Sequence, residues 1–463
     1  MLNVLLISTY ELGRQPFGLA SPAAWLRRAG AAVSCVDLSR ERLPAAEVQS
    51  ADVIGFFLPM HTAARLALPV LRHVRALNPA AHVCCYGLYA WLNKPLLETL
   101  GVKTVIGGEY EDELVSVLDS LRFNRERRTP STSLPRLSFV VPDRAGLLPL
   151  SKYAAVRMPD GSQRTVGYTE ASRGCKHGCL HCPIVPVYDG QFRIVPPDVV
   201  LADISAQVDQ GAQHITFGDP DFFNGIGHAL KVINAVAREF PGLTYDVTIK
   251  VEHLLQYQGH LDRLRDTGCL FVTSAVESID DRVLAILAKG HTRDDFVRVA
   301  SHCRAIGLVL SPTFVPFTPW TTVQGYCALL ATIAQLELTE QVAPIQLAIR
   351  LLLPEGSRLL GRDDIRAVTG PFEPERLVYP WTHPDPRVDA LQCEVSALVG
   401  ERVDMDMPRD AVFDAVAVAA HRCAGIEMPS GLQKRPHRAH AVPHLNEPWY
   451  RCAEPTDQQL APF

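Results

Sequence analysis

The stretch "ASRGCKHGCLHC", residues 171–182, brings Cys175, Cys179 and Cys182 within eight residues of one another. Thiolates are soft ligands that suit zinc, copper(I) and iron–sulfur clusters. A structural zinc site takes four ligands, commonly from two knuckles. The chain has no CxxC outside this stretch, so His177 or His181 would have to complete such a set. Three thiols on one short loop suit a 4Fe-4S cluster that keeps one iron open for another ligand. Gly174 and Gly178 would let the backbone fold around a bulky object.

The loop follows "TVGYTEAS", the first of a series of β-rich runs between Val166 and Leu353. The others are "HITFGD", "YDVTIKV", "LFVTSAVE", "LVLSPTFVPF" and "PIQLAIRLL", with helical stretches such as Pro197–Gly211 and Arg293–Gly307 between them. Six βα units predict a partial (β/α)6 barrel, two units short of a closed one, and barrels gather their ligands at the C-terminal ends of the strands. Upstream, strands are expected at Asn3–Ser8, Val33–Leu38, Asp52–Leu58, His82–Tyr86 and Lys103–Ile106, alternating with helices. That alternation predicts an open, doubly wound parallel sheet over residues 1–122. "FNRERRTPSTSLPRL" breaks the periodicity and reads as a linker within 123–150. "YAAVRMPDGSQRTVGY" reads as a hairpin turning at Asp160-Gly161. The barrel then spans 151–355, and 356–463 forms a mainly helical extension with a Pro- and His-rich tail. The fold class is therefore α/β throughout.

Bulk properties narrow the choices. The 463 residues are 47% hydrophobic, enough for large cores. Mixed charges, 45 basic against 50 acidic with a net of −5, leave no basic face for nucleic acid. Apolar runs such as "DVIGFFLP" are strand-length and too short for a membrane span. "MLNVLLISTYELG" has no cationic start and no cleavage site, so twelve cysteines read as ligands, catalytic thiols or core residues in a reducing cytoplasm.

"CKHGCLHC" resembles the CxxxCxxC signature of radical S-adenosylmethionine (SAM) enzymes, and the resemblance extends over about 150–360. It implies that Cys175, Cys179 and Cys182 hold a 4Fe-4S cluster and that its open iron chelates SAM. One electron, from a flavodoxin- or ferredoxin-type donor, would then cleave a C–S bond to give a carbon radical. His181 stands where the family usually has an aromatic residue, and an imidazole can still stack on adenine. In "FGDPDFF", Gly218 and Asp219 match the turn that receives the SAM amino group, with helix capping as the alternative. In "TSAVES", Glu277 and Ser278 match the strand end that reaches the ribose; in "VTIKVEH", Lys250 would pair with the SAM carboxylate or else be solvated. Arg350 sits in an apolar run and needs an anionic partner. That partner would be the SAM carboxylate or a protein carboxylate.

Residues 1–122 resemble the cobalamin-binding domain of B12-dependent radical enzymes, through "VIGGEYEDELVSVL" at 105–118. The DxHxxG signature of other B12 proteins is missing; the first loop reads "STYELGRQPFG". Cobalamin is thus an implied cofactor, with a vestigial domain shaping the site wall as the alternative. At the other end, "WYRCAEP" (449–455) resembles the CCAEP or Cys-selenocysteine-AEP tails of a radical-enzyme group that includes the arsinothricin-forming type, one residue short of the pair. By that resemblance Cys452 would hold trivalent arsenic delivered as arsenite, with Cys423 or another thiol, and SAM would donate its 3-amino-3-carboxypropyl group to form an As–C bond. Cobalamin-dependent methylation of an unreactive carbon is the second reading, and a non-catalytic metal-binding or sensor protein the third. The remaining cysteines, Cys35, Cys84, Cys85, Cys269, Cys303, Cys327, Cys393 and Cys423, read as core.

Overall fold

The computed structural model describes residues 1–123, 134–405, 407–429, 432 and 442–446. Five strands open the chain: β1 (Asn3–Ser8), β2 (Ala32–Asp37), β3 (Val53–Phe57), β4 (His82–Tyr86) and β5 (Thr104–Ile106). They form a parallel sheet in the order β2-β1-β3-β4-β5. Every residue of β3 is buried, as expected where helices cover both faces of a parallel sheet. On one face Leu5, Ile7 and Ile54 pack on the helix His61–Leu77. On the other, Val4, Leu6 and Tyr86 pack on the helices Phe17–Arg28 and Glu111–Phe123. Strand order reverses between β1 and β3, so a crevice opens at the C-terminal edge there.

The hairpin forms where Asp160-Gly161 predicts it, between β6 (Ala155–Arg157) and β7 (Gln163–Thr169), with Gly161 at φ +83°. Next come the short antiparallel pair β8 (Ser172–Gly174) and β9 (Phe192–Ile194). The parallel series continues through β10 (His214–Phe217), β11 (Thr244–Thr248), β12 (Cys269–Glu277) and β13 (Val309–Phe314). A two-residue strand, β14 (His444–Leu445), returns to β6, giving a curled sheet β13-β12-β11-β10-β7-β6-β14. The helices Pro386–Asp404 and Arg409–Ala424 add Val395, Val399, Phe413 and Val416 to its core.

Three local expectations are corrected. "PIQLAIRLL" does not form a sixth full strand: it holds a 3-10 turn at Pro344–Leu347 and a single bridge between Phe317 and Arg350. The Gln346 side chain accepts the Phe314 N–H at 3.0 Å, taking the place of a strand carbonyl. "TVGYTEAS" bends into β7 and β8 instead of running straight. Cys84, Cys85, Cys269, Cys303 and Cys327 are buried, but Cys393 is exposed, while Cys35, in the edge strand β2, and Cys423, near the end of its helix, are half-buried.

Candidate active site

The C-terminal edges of the two sheets face each other across one cavity of about 290 Å³. One wall comes from the turns after β1, β3, β4 and β5, through Leu12, Phe57, Met60, Leu88, Tyr89 and Tyr110. The other comes from the ends of β7, β8 and β10 to β13 and carries Cys175, Cys179 and Cys182. None of the three thiols is in a disulfide, and no other cysteine among the described residues lines the cavity.

Backbone chemistry sets the thiol loop. Gly174 sits at φ +76°, and a Cβ there would lie 2.4 Å from the Tyr188 ring, so the turn out of β8 requires glycine. The Asn224 side chain ties the loop to the turn after β10, accepting from Lys176 N at 3.3 Å and donating to Gly174 O at 3.4 Å. Burial pushes the Cys175 thiol up to about 11, so this pocket favours thiolate only with a cation beside it.

Ionic side chains cluster next to the thiols. Glu277, at φ +67°, accepts from Lys289 Nζ at 3.2 Å, and His181 Nε2 lies 3.2 Å from the same oxygen. Burial alone would raise the Glu277 carboxyl; Lys289 and His181 outweigh it and hold Glu277 down to about 2. Lys250 Nζ lies 3.3 Å from Glu252. A Cβ on Gly218 would fall 1.8 Å from Tyr168 Oη, so this glycine lets the tyrosine cross the strand end.

His181, Gly218, Lys250 and Glu277 line the cavity with the thiols. Three expected site residues do not. Asp219 spends its carboxylate on Ser172 Oγ (2.5 Å) and Ala171 N (2.9 Å), bracing β8 against β10 from outside the cavity. Burial pushes its carboxyl up to about 7 against those bonds. Ser278 Oγ accepts from Asp280 N at 3.0 Å, in the turn that leads to the helix Asp281–Ile286. Arg350 finds a protein carboxylate: it pairs with Asp389 at 2.6 Å and stacks on Trp381. Cys452 lies outside the described residues.

Other groups at the site were not legible from motifs. Lys289 lies in the loop beyond a helix, with no strand-end spacing to mark it. Arg173, two residues before Cys175, crosses to the N-terminal sheet and pairs with Glu109 (3.1 Å) and Glu111 (2.7 Å), as well as Glu170 (2.7 Å). Burial raises Glu170 to about 7 despite Arg173. Glu11, also buried, is pushed well up and accepts from the N–H groups of Phe17 and Gly18. The doubled carboxylate of "GGEYE" was the only sequence hint of this interdomain lock.

Residues 169–319 match the model of the Radical SAM superfamily, which assigns a radical SAM domain to the middle of the chain. The bacteriochlorophyllide d C-8(2)-methyltransferase of Chlorobaculum tepidum is 24% identical over 237 residues, 46% of this chain and 48% of that protein. A tRNA-2-methylthio-N(6)-dimethylallyladenosine synthase of Methylococcus capsulatus is 25% identical over 259 residues, 51% of this chain and 50% of that one. The chain thus spans about half the length of the curated relatives it matches. Among solved structures, the radical SAM methyltransferase TsrM of Kitasatospora setae superposes with a TM-score of 0.60 at 18% identity, covering 73% of this chain and 71% of TsrM. The cobalamin-dependent radical SAM enzyme OxsB superposes with a TM-score of 0.66 at 12% identity, covering 87% of this chain and 67% of OxsB. These likenesses establish the shared fold.

A radical SAM domain uses a 4Fe-4S cluster and SAM, and three cysteines outside any disulfide on one loop fit three corners of such a cluster. The opposite wall is mainly apolar and aromatic, with Glu11 and Arg14 as charged members, and its described residues offer no imidazole to the cavity. A corrin held against this wall would take no histidine ligand from this domain. No helix among the described residues is long and apolar enough to cross a membrane.

Proposed function

We propose that this chain is a radical SAM transferase whose N-terminal domain closes the shared cavity over the thiol loop. Cobalamin-dependent methylation of an unreactive carbon is the reading the geometry favours. The observation that carries it is the cavity between the two C-terminal sheet edges, with three thiols on one wall and a mainly apolar, imidazole-free surface on the other. Cys175, Cys179 and Cys182 would hold the cluster. When bound, the cluster supplies the electron that splits a C–S bond of SAM, and a corrin supplies a methyl carrier.

The chain's own residues orient and enclose. Lys250 offers a cation to the SAM carboxylate, and His181 offers a ring face to adenine. Glu277, fixed by Lys289, keeps one oxygen free for a ribose hydroxyl. The Arg173 lock holds the two walls together and keeps bulk water from the radical.

Transfer of the aminocarboxypropyl group to arsenic at Cys452 is a second reading, resting on the residue pattern "RCAEP". The nucleoside product separates the two. Anaerobically reconstituted, reduced protein is incubated with SAM and cobalamin, with and without arsenite. Deoxyadenosine together with adenosylhomocysteine supports methylation. Methylthioadenosine that rises with arsenite and disappears in Cys452→Ser supports the arsenic reading. Zinc at the thiols, with no SAM cleavage, would make the protein a metal-binding module.

A further inference from the structure

Behind the thiol loop, outside the cavity, two histidines converge on one carboxylate oxygen. Oδ2 of Asp221 lies 3.1 Å from His177 Nε2 and 2.6 Å from His253 Nδ1, and the three donor atoms all lie within 4.8 Å of one another. The side chains of Asp221 and His253 are 0% and 1% exposed, and that of His177 is 10% exposed. None of the three lines the cavity.

Two features separate this cluster from an ordinary hydrogen-bonded clamp. Nδ1 of His253 is buried and lies 2.6 Å from the carboxylate oxygen, off the line of an ordinary hydrogen bond. Each of the other two donors also has a partner on its far side. Nδ1 of His177 lies 3.4 Å from Glu252 Oε2, and Asp221 Oδ1 accepts the N–H of Phe223 at 3.1 Å. An outer carboxylate that fixes an imidazole's tautomer and turns its other nitrogen inward is the usual support of a metal-ligating histidine.

We infer that His177, Asp221 and His253 form a second metal site, for a single divalent transition ion of the zinc type, distinct from the three thiols. Two imidazoles and one carboxylate oxygen are borderline ligands that suit zinc and leave a fourth position for water. Because His177 lies between Cys175 and Cys179, an ion there would pin the middle of the thiol loop to the turn after β10 and to the short helix Val251–Gln256 that follows β11.

The test is metal content. Protein reconstituted anaerobically with iron and sulfide is supplied with zinc(II) or cobalt(II) and then desalted. About one equivalent of zinc per chain should remain beside the cluster iron, and cobalt should show the visible bands of a nitrogen–oxygen site. His253→Ala and Asp221→Asn should each lower zinc retention roughly tenfold or more while keeping the cluster iron. His253→Cys, which restores a ligand, should retain cobalt and add a thiolate charge-transfer band, which excludes simple misfolding as the cause. Removing all three thiols together should abolish iron and leave zinc. Zinc that tracks His253 in protein that never assembles iron would sink the radical reading and leave this one standing. Wild-type protein without the second ion would overturn the inference. So would zinc that survives in His253→Ala and Asp221→Asn but leaves with the cysteines.

Discussion

The two walls of the cavity are built alike and equipped differently. Each is the C-terminal edge of a run of parallel strands, where loops are free to vary above fixed strands. The barrel edge crowds soft and charged groups into this space: three thiols, His181, Lys250, Glu277 and Lys289. The N-terminal edge contributes mainly Leu12, Phe57, Met60, Leu88, Tyr89 and Tyr110, with Glu11 and Arg14 its only charged side chains. One wall is fitted for chemistry and the other for shape. The Arg173 lock, rooted two residues from Cys175, makes the spacing between them a property of the fold.

The contrast can be broken from the barrel side first. Replacing Cys175, Cys179 or Cys182 by Ala should abolish cluster iron and SAM cleavage, as read by iron content and nucleoside release. Changes confined to the N-terminal wall should leave iron loading intact.

Next in size is Lys289→Ala, which leaves the Glu277 carboxylate buried with His181 alone; a loss of about 3 kcal/mol is expected in urea unfolding at neutral pH. Glu277 is held down to about 2 in the folded chain, so its contribution is present above the ordinary carboxylate range and fades as pH falls toward 2. The gap between wild type and Lys289→Ala should narrow along the same path.

The interdomain lock has the opposite sign. Glu170 is raised to about 7, so the folded chain keeps a proton that the unfolded chain has released. Stability should therefore fall as pH rises from the ordinary carboxylate range to about 7. Glu170→Gln should flatten that fall by roughly 1–3 kcal/mol in unfolding curves at pH 5 and pH 8. Asp219, also raised to about 7, supplies a slope that remains.

The smallest effect is expected at Ser278→Ala. Its hydroxyl only accepts the Asp280 N–H at an exposed turn, so about 0.5 kcal/mol is at stake and SAM affinity should not change.

How much was legible follows from what each signal depends on. Strands β1, β3 and β4 and the hairpin at Asp160-Gly161 fall within a residue or two of their expected places, because a continuous apolar run or an Asp-Gly turn is a local property. The sixth barrel strand was misread because "PIQLAIRLL" has the composition of a strand, while Gln346 occupies the ladder position through its side chain. At the site, cysteine spacing marks the metal loop without any fold. Of the two aspartates in "DPD", sequence favours Asp219 for the cavity, yet Asp219 turns to Ser172 and Asp221 turns to two histidines. Nothing in their spacing separates them; the direction of each side chain at the end of β10 does.

The sequence alone determined that three soft ligands sit on one loop after a strand, within an alternating α/β chain, because ligand type and short spacing need no partner. Tertiary structure alone decided which distant groups meet that loop. Arg350 went to Asp389, Lys289 to Glu277, Arg173 to the N-terminal carboxylates, and His177 to Asp221 and His253. A buried charge or imidazole finds its partner through the packing of separate elements, and residues far apart in the chain carry no local trace of that meeting.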